Sequence, residues 1–211
     1  GLHAKGGNGF DRQRSHPKWR VLASEGDEEN RMAIVHSPTQ HKIQESAMKM
    51  TSIFVYGTLQ NARIMQTLLG HAQLPDRIRV ARYARLHGFA RYKVRDRVFP
   101  GMIRSPQGCV DGCVVSGLSQ SELRILDWYE SEEYERCITE AIVRADDGDD
   151  GGNEQEGERV SVETYIWKDE FVGQLDLDQP WSLADFEADH LEWFMQNTVE
   201  PCRKEIQKMK W

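Results

Sequence analysis

Two stretches of this chain carry residues whose types and spacing lend themselves to chemistry. The first is Ser52-Ile53-Phe54-Val55-Tyr56-Gly57-Thr58-Leu59-Gln60-Asn61. Its apolar, β-branched and aromatic residues stop at a single glycine, after which Ile64, Leu68 and Leu69 take up helical spacing. This predicts a strand, a tight turn and a helix. Gly57 permits a sharp turn and lets a ligand approach the main chain, and the N–H groups of Thr58, Leu59 and Gln60 face whatever lies above the turn. Such a turn favours a carboxylate or a developing oxyanion, although the same string also serves as a plain strand-to-helix connection. The second stretch is Asp127-Trp128-Tyr129-Glu130, at the end of a short predicted helix. The helix dipole disfavours negative charge there, and the bulk of Trp128 and Tyr129 desolvates the carboxyl. Both effects raise the pKa of Glu130 toward the working range of an acid–base group. The competing reading places Glu130 in a solvated acidic run with Glu132, Glu133 and Glu135.

The elements that must position these residues are legible in outline. Residues 61–70 fit a short helix stopped by Gly70. Arg77 to Leu86 and Ala90 to Arg95 alternate basic and apolar residues, predicting two half-buried strands with a turn at His87-Gly88-Phe89. Eight Lys or Arg fall between Arg77 and Arg97, interleaved with Tyr83 and Tyr92. A nucleic-acid surface is one reading of that run, and the solvent face of two strands is the other. Phe99-Pro100-Gly101-Met102 reads as a turn whose large side chains floor a pocket or cap the core. Val110 to Ser116 predicts a strand, and Ser119-Gln120-Ser121-Glu122 has capping-box spacing for a helix with Leu123 and Leu126 on its inner stripe. Cys137 to Arg144 and Val160 to Trp167 alternate as strands around an acidic, glycine-rich loop at 145–158, which reads as a mobile hairpin connection and lacks the carboxylate order of a calcium loop. Ser182 caps a last amphipathic helix, kinked or restarted at Pro201.

With 211 residues the chain has room for one domain with a proper core. Residues 1–50 lack apolar periodicity and read as a disordered N-terminal extension, leaving 51–211 as the folded domain. A net charge of −7 argues against a general nucleic-acid binder. No apolar run approaches the ~20 residues that span a bilayer, and a cytoplasmic location is expected. The four cysteines Cys109, Cys113, Cys137 and Cys202 show no C-x-x-C pairing and no ligand-like spacing to any histidine, so free thiols and no metal are expected.

Four motifs, in this order, resemble the γ-glutamylcyclotransferase-like superfamily: Phe54-Val55-Tyr56-Gly57-Thr58-Leu59, Phe99-Pro100-Gly101-Met102, Asp127-x-x-Glu130-x-x-x-Tyr134-x-Arg136 and Glu163-Thr164-Tyr165-Ile166-Trp167. The likeness is greatest to the plant avirulence-induced (AIG2-like) branch, which also ends in a helix like that bearing Asp185-Phe186-Glu187. The resemblance implies an α+β fold, a small mixed β-barrel with flanking helices. It implies an acyltransferase without cofactor, acting on a small-molecule γ-glutamyl substrate and releasing 5-oxoproline. Glu130 would be the acid/base, and Tyr56, Gly57, Thr58, Leu59, Gln60 and Asn61 would hold the substrate, with Phe99, Gly101 and Tyr134 beside it. The family usually has Gly where Ser131 stands, which makes the turn after Glu130 a point of departure from its pattern.

Overall fold

The computed structural model describes residues 51–144 and 157–209. The expectations for residues 1–50 and for most of the acidic loop lie outside the described residues. Six strands, β1 (Thr51–Val55), β2 (Arg79–Val94), β3 (Pro100–Leu118), β4 (Tyr134–Val143), β5 (Glu158–Trp167) and β6 (Leu175–Pro180), form one mixed sheet. β1 pairs antiparallel with β3, β3 with β2, β2 with β4 and β4 with β5, while β5 returns parallel to β1. The ring is therefore closed, as the expected mixed barrel requires, and β6 is appended to the far end of β2.

Alternation along β1 divides the core. Phe54 and Tyr56 point into the barrel with Leu86, Phe89 and Met102, while Ile53 and Val55 face the helices with Leu68, Leu126 and Phe186. Those helices are α1 (Ala62–Leu69), α2 (Gln120–Glu130), α3 (Leu183–Asp189), α4 (Leu191–Phe194) and α5 (Glu200–Lys208). Their ends follow local rules. Gly70 closes α1 at φ 76°, and Arg203 Nη1 donates to the Leu68 carbonyl at 3.1 Å from α5. Ser119 and Glu122 complete the capping box of α2, and Ser182 Oγ accepts from Asp185 N–H at the start of α3. The expected single C-terminal helix is broken at His190, and Met195–Val199 is a wider π turn before α5 starts with Pro201 in its first turn.

Three sequence expectations need correction. Residues 77–95 do not form two strands with a turn at 87–89. β2 runs through, because Gly88 takes φ +83° and absorbs a bulge in which the ladder passes from His87↔Cys109 to Phe89↔Arg104. Phe99-Pro100-Gly101-Met102 is not a turn either. Pro100 to Met102 open β3, paired to Lys93, Tyr92 and Arg91, and the chain reverses just before them, where Asp96 takes φ 59°. Proline is tolerated as the first residue of a strand, and Gly101 is needed there because a Cβ would lie 2.7 Å from Leu175 and 3.0 Å from Trp167. Finally, Glu158 belongs to β5, opposite Val143, and not to the loop.

Candidate active site

Glu130 is the last residue of α2, held there by Leu123, Ile125 and Leu126 buried against the helical core. Its carboxyl has no hydrogen bond or ion pair among the described residues. Burial, and then the charge of Asp127 one turn back on the same helix face, push it up to about 8. Four phenols stand within electrostatic reach of that carboxyl: Tyr56 after β1, Tyr129 on α2, Tyr134 opening β4 and Tyr165 on β5. Burial raises every one of them above the ordinary tyrosine value, so all four are neutral donors at physiological pH. Their hydroxyls are oriented by the protein. Tyr129 shares a hydrogen bond with Thr58 Oγ1 at 3.2 Å, Tyr134 donates to the Pro100 carbonyl at 2.7 Å and Tyr165 donates to Asp127 Oδ1 at 2.7 Å. Asp127 is in turn 3.5 Å from Arg136, which reaches Glu163 at 2.9 Å.

The Gly57 turn lies beside this cluster. Gly57 has φ −110°, so it is not a left-handed position; the missing Cβ matters because Pro100 would stand 3.1 Å from it. Thr58–Gln60 is one turn of 3-10 helix. The expectation of three free N–H groups is corrected here, because Gln60 N–H closes the turn on the Gly57 carbonyl at 3.1 Å. Thr58 and Leu59 N–H have no acceptor among the described residues and remain as a pair of donors. The side chains of the next two residues serve the scaffold. Gln60 Nε2 donates to the Gly57 carbonyl at 3.4 Å, while Asn61 Oδ1 caps α1 at Arg63 N–H and Ile64 N–H and its Nδ2 donates to Glu187 at 2.7 Å. Leu59 is buried in the helical core.

The start of β3 forms the facing wall. Pro100 packs on Gly57 and accepts from Tyr134, and the Met102 main chain faces the Tyr56 hydroxyl. Gly101 makes room for Trp167, whose ring meets Tyr134 edge-on at 4.9 Å, and Phe99 packs beside both Tyr134 and the helical core. The structure thus brings Tyr56, Gly57, Thr58, Glu130 and Tyr134 together, with Leu59, Gln60, Asn61, Phe99 and Gly101 behind them. Among the described residues no group of three His, Cys, Asp or Glu is placed to hold a metal. Sequence reasoning gave no role to Tyr165, Asp127 or Arg91, and treated Tyr129 as bulk only. The first two stand inside the recognised motifs, whereas Arg91 is hidden among eight basic residues.

Ser131 follows Glu130 at φ 65°, ψ −168°, a region that is essentially glycine's own. Its hydroxyl donates to Glu133. Ser131→Gly is expected to relieve the strain and stabilise the fold by about 1 kcal/mol after the entropy of the added glycine is subtracted. Ser131→Ala keeps the strain, loses the hydroxyl and should not stabilise. Urea denaturation of both variants decides the point, and equal stabilities would mean that the backbone there is unstrained.

Fold and site together define a small α+β barrel protein with an unpaired carboxyl of raised pKa and a pair of N–H donors without an acceptor among the described residues. Residues 53–185 match the family described as γ-glutamyl cyclotransferase, AIG2-like, and the chain belongs to that family. It is 32% identical over 152 residues to AIG2-like protein B of Arabidopsis thaliana, covering 72% of this chain and 78% of that one. Likeness to AIG2-like protein C of the same plant is 31% over 146 residues, covering 69% and 74%. A solution structure of another Arabidopsis thaliana protein superposes with a TM-score of 0.50 at 27% identity, covering 76% of this chain and 84% of that one.

Proposed function

We propose that this chain is a γ-glutamylcyclotransferase, converting a γ-glutamyl amine or peptide into 5-oxoproline and a free amine. The observation that carries the reading is the Glu130 carboxyl, unpaired among the described residues, within electrostatic reach of four neutral phenols and pushed up to about 8. In the reaction the α-nitrogen of the glutamyl group bonds to its own γ-carbonyl carbon, and the bond from that carbon to the leaving nitrogen breaks. The α-ammonium gives up two protons on the way to the lactam N–H. One goes to solvent when the nucleophile is freed, and the other, lost as the ring closes, must reach the leaving nitrogen, a transfer that one carboxyl can make as base and then acid. Ring closure is intramolecular, so a site that holds the curled substrate supplies much of the rate by orientation. In this reading the N–H groups of Thr58 and Leu59 hold a substrate carboxylate or the oxyanion, and the buried phenols keep water from competing. A small-molecule γ-glutamyl substrate, no cofactor and Glu130 as proton shuttle are the substance of the reading.

The basic run supports this over a nucleic-acid role. Arg77 is held by Glu122 and the Gly117 carbonyl, Arg85 pairs with Asp111, Arg91 donates to Tyr56 and Arg95 to Gly173, so half of the eight cations are tied to partners within the fold. No described helix is long and apolar enough to cross a membrane. The test is a panel of γ-glutamyl amino acids, peptides and amines with direct chromatographic detection of 5-oxoproline. Release of 5-oxoproline from at least one member above the uncatalysed rate is expected. Binding without release across the panel would reduce the chain to a non-catalytic relative.

A further inference from the structure

Arg91 is a cation that the scheme above does not use. It lies on β2 opposite Met102, at the end of the barrel where the Tyr56-Gly57 turn begins. Its Nη1 donates to the Tyr56 carbonyl at 2.6 Å and to the Asp111 carbonyl at 3.3 Å, and its guanidinium lies over the Trp181 ring, 5.2 Å from the centroid. These partners are two neutral carbonyls and an aromatic face. Among the described residues no carboxylate forms an ion pair with it, although Asp111 is near enough to be felt. A half-buried charge without a counter-ion is costly, and a chain that only needed to tie Tyr56 to β3 had neutral donors available. The carbonyl that Arg91 holds belongs to Tyr56, two residues ahead of Thr58 and three ahead of Leu59, whose N–H donors present positive dipoles of their own. The cation and the two donors are thus tied to one short segment, residues 56–59. The Tyr56 phenol feels both Arg91 and Glu130, which act on it in opposite directions. A cation on the Tyr56 carbonyl and an acid felt by the Tyr56 phenol therefore bracket one residue of the turn with opposite sign.

We propose that Arg91 is a positioning and specificity residue, supplying the fixed positive charge that makes the Gly57 turn select a carboxylate-bearing ligand over its neutral amide. The proposal deepens the cyclotransferase reading and rests on it for the identity of the ligand, the α-carboxylate of the glutamyl group. The polarity then fits a zwitterion, with carboxylate toward the turn and ammonium toward Glu130. Arg91 acts through the turn it clamps, by fixing the Tyr56 carbonyl and by its field.

The test compares a carboxylate with its carboxamide in binding and in turnover. The binding probes are 5-oxoproline and its carboxamide, followed by ligand-induced shift of the melting temperature and by NMR titration of wild type, Arg91→Lys and Arg91→Met. For turnover the probes are a γ-glutamyl amine and the same compound with its α-carboxylate amidated. Wild type should favour the carboxylate, and Arg91→Met should lower that preference by about tenfold or more, the loss of one charge-assisted interaction. Arg91→Lys keeps the charge and should retain part of the preference. Mere loss of the Tyr56 strap would weaken both ligands alike and leave their ratio unchanged. An Arg91→Met variant that is folded and still discriminates overturns the proposal, as does a wild type that binds acid and amide equally. That second outcome needs no variant to fold. If 5-oxoproline binds with the expected preference but no γ-glutamyl compound is turned over, the cyclotransferase reading fails while the selection of a carboxylate by Arg91 stands.

Discussion

Glu130→Gln is expected to leave a folded protein whose kcat for 5-oxoproline release falls by about 10²–10⁴-fold, while KM stays within a small factor. Glutamine keeps the length and most of the shape of the side chain, so the phenols around it need not move, but it cannot exchange protons. Glu132, exposed in the turn after α2, supplies the control, and Glu132→Gln should cost little. The pH profile gives a second, independent reading. A base must be ionised to strip the α-ammonium, and in the free enzyme Glu130 gives up its proton only near 8. Wild-type kcat/KM should therefore climb with pH and level off near that value, far above the ~4.3 of an ordinary glutamate. Any residual activity of Glu130→Gln should lack that limb. Near-wild-type 5-oxoproline release by the folded variant would move the proton shuttle to another residue.

How much of this site the sequence discloses depends on how local each signal is. Gly70, the Ser119–Glu122 box and the Ser182 cap act within a few residues of chain, and each stands where its spacing places it. The turn at Gly57 is legible for the same reason. Its Gln60 N–H escapes a sequence reading because a first turn that tightens to 3-10 geometry consumes a donor that an α-helical start would leave free. The corrections at 87–89 and 99–102 have one cause. Gly and Pro punctuate sequence alike at turns, at bulges and at strand starts, and only the partner strand distinguishes them. The environment of Glu130 is the least legible part. Its helix-end position can be read from α2, but Tyr56, Tyr134 and Tyr165 come from three other parts of the barrel, and only the closed ring of strands brings them to one carboxyl. Arg91 cannot be separated from its basic neighbours by sequence, because alternation shows which side a residue faces and not what it meets there.

Two carboxyls on α2 are displaced in opposite directions, and their variants should reverse each other's effect on stability across the pH range. Burial alone would raise Glu122. The Arg77 guanidinium at 2.7 and 2.8 Å, the Ser119 N–H and hydroxyl, and His71 at 2.9 Å outweigh it and hold the carboxyl at about 2. Because the folded value lies below the ordinary 4.5, Glu122 stabilises the fold above that pH and loses the contribution as pH falls toward about 2. For Glu130 the sign reverses. The unfolded chain releases that proton near 4.5 and the folded one holds it to about 8, so the favourable contribution is complete below 4.5 and disappears as pH rises through 8. A tenfold change in a proton-binding equilibrium is worth about 1.4 kcal/mol, so ionising Glu130 costs the fold on the order of a few kcal/mol at high pH. Urea denaturation across this range should show Glu130→Gln matching wild type at pH 4 and increasingly more stable toward pH 9. Glu122→Gln should be less stable by about 1–3 kcal/mol at neutral pH, the loss of a cap and of a charge-assisted pair, with the gap closing toward pH 2. A gap between Glu130→Gln and wild type that stayed flat from pH 4 to 9 would mean that the carboxyl titrates normally. The site would then lack the poised acid its chemistry requires, whatever the kinetics of the variant.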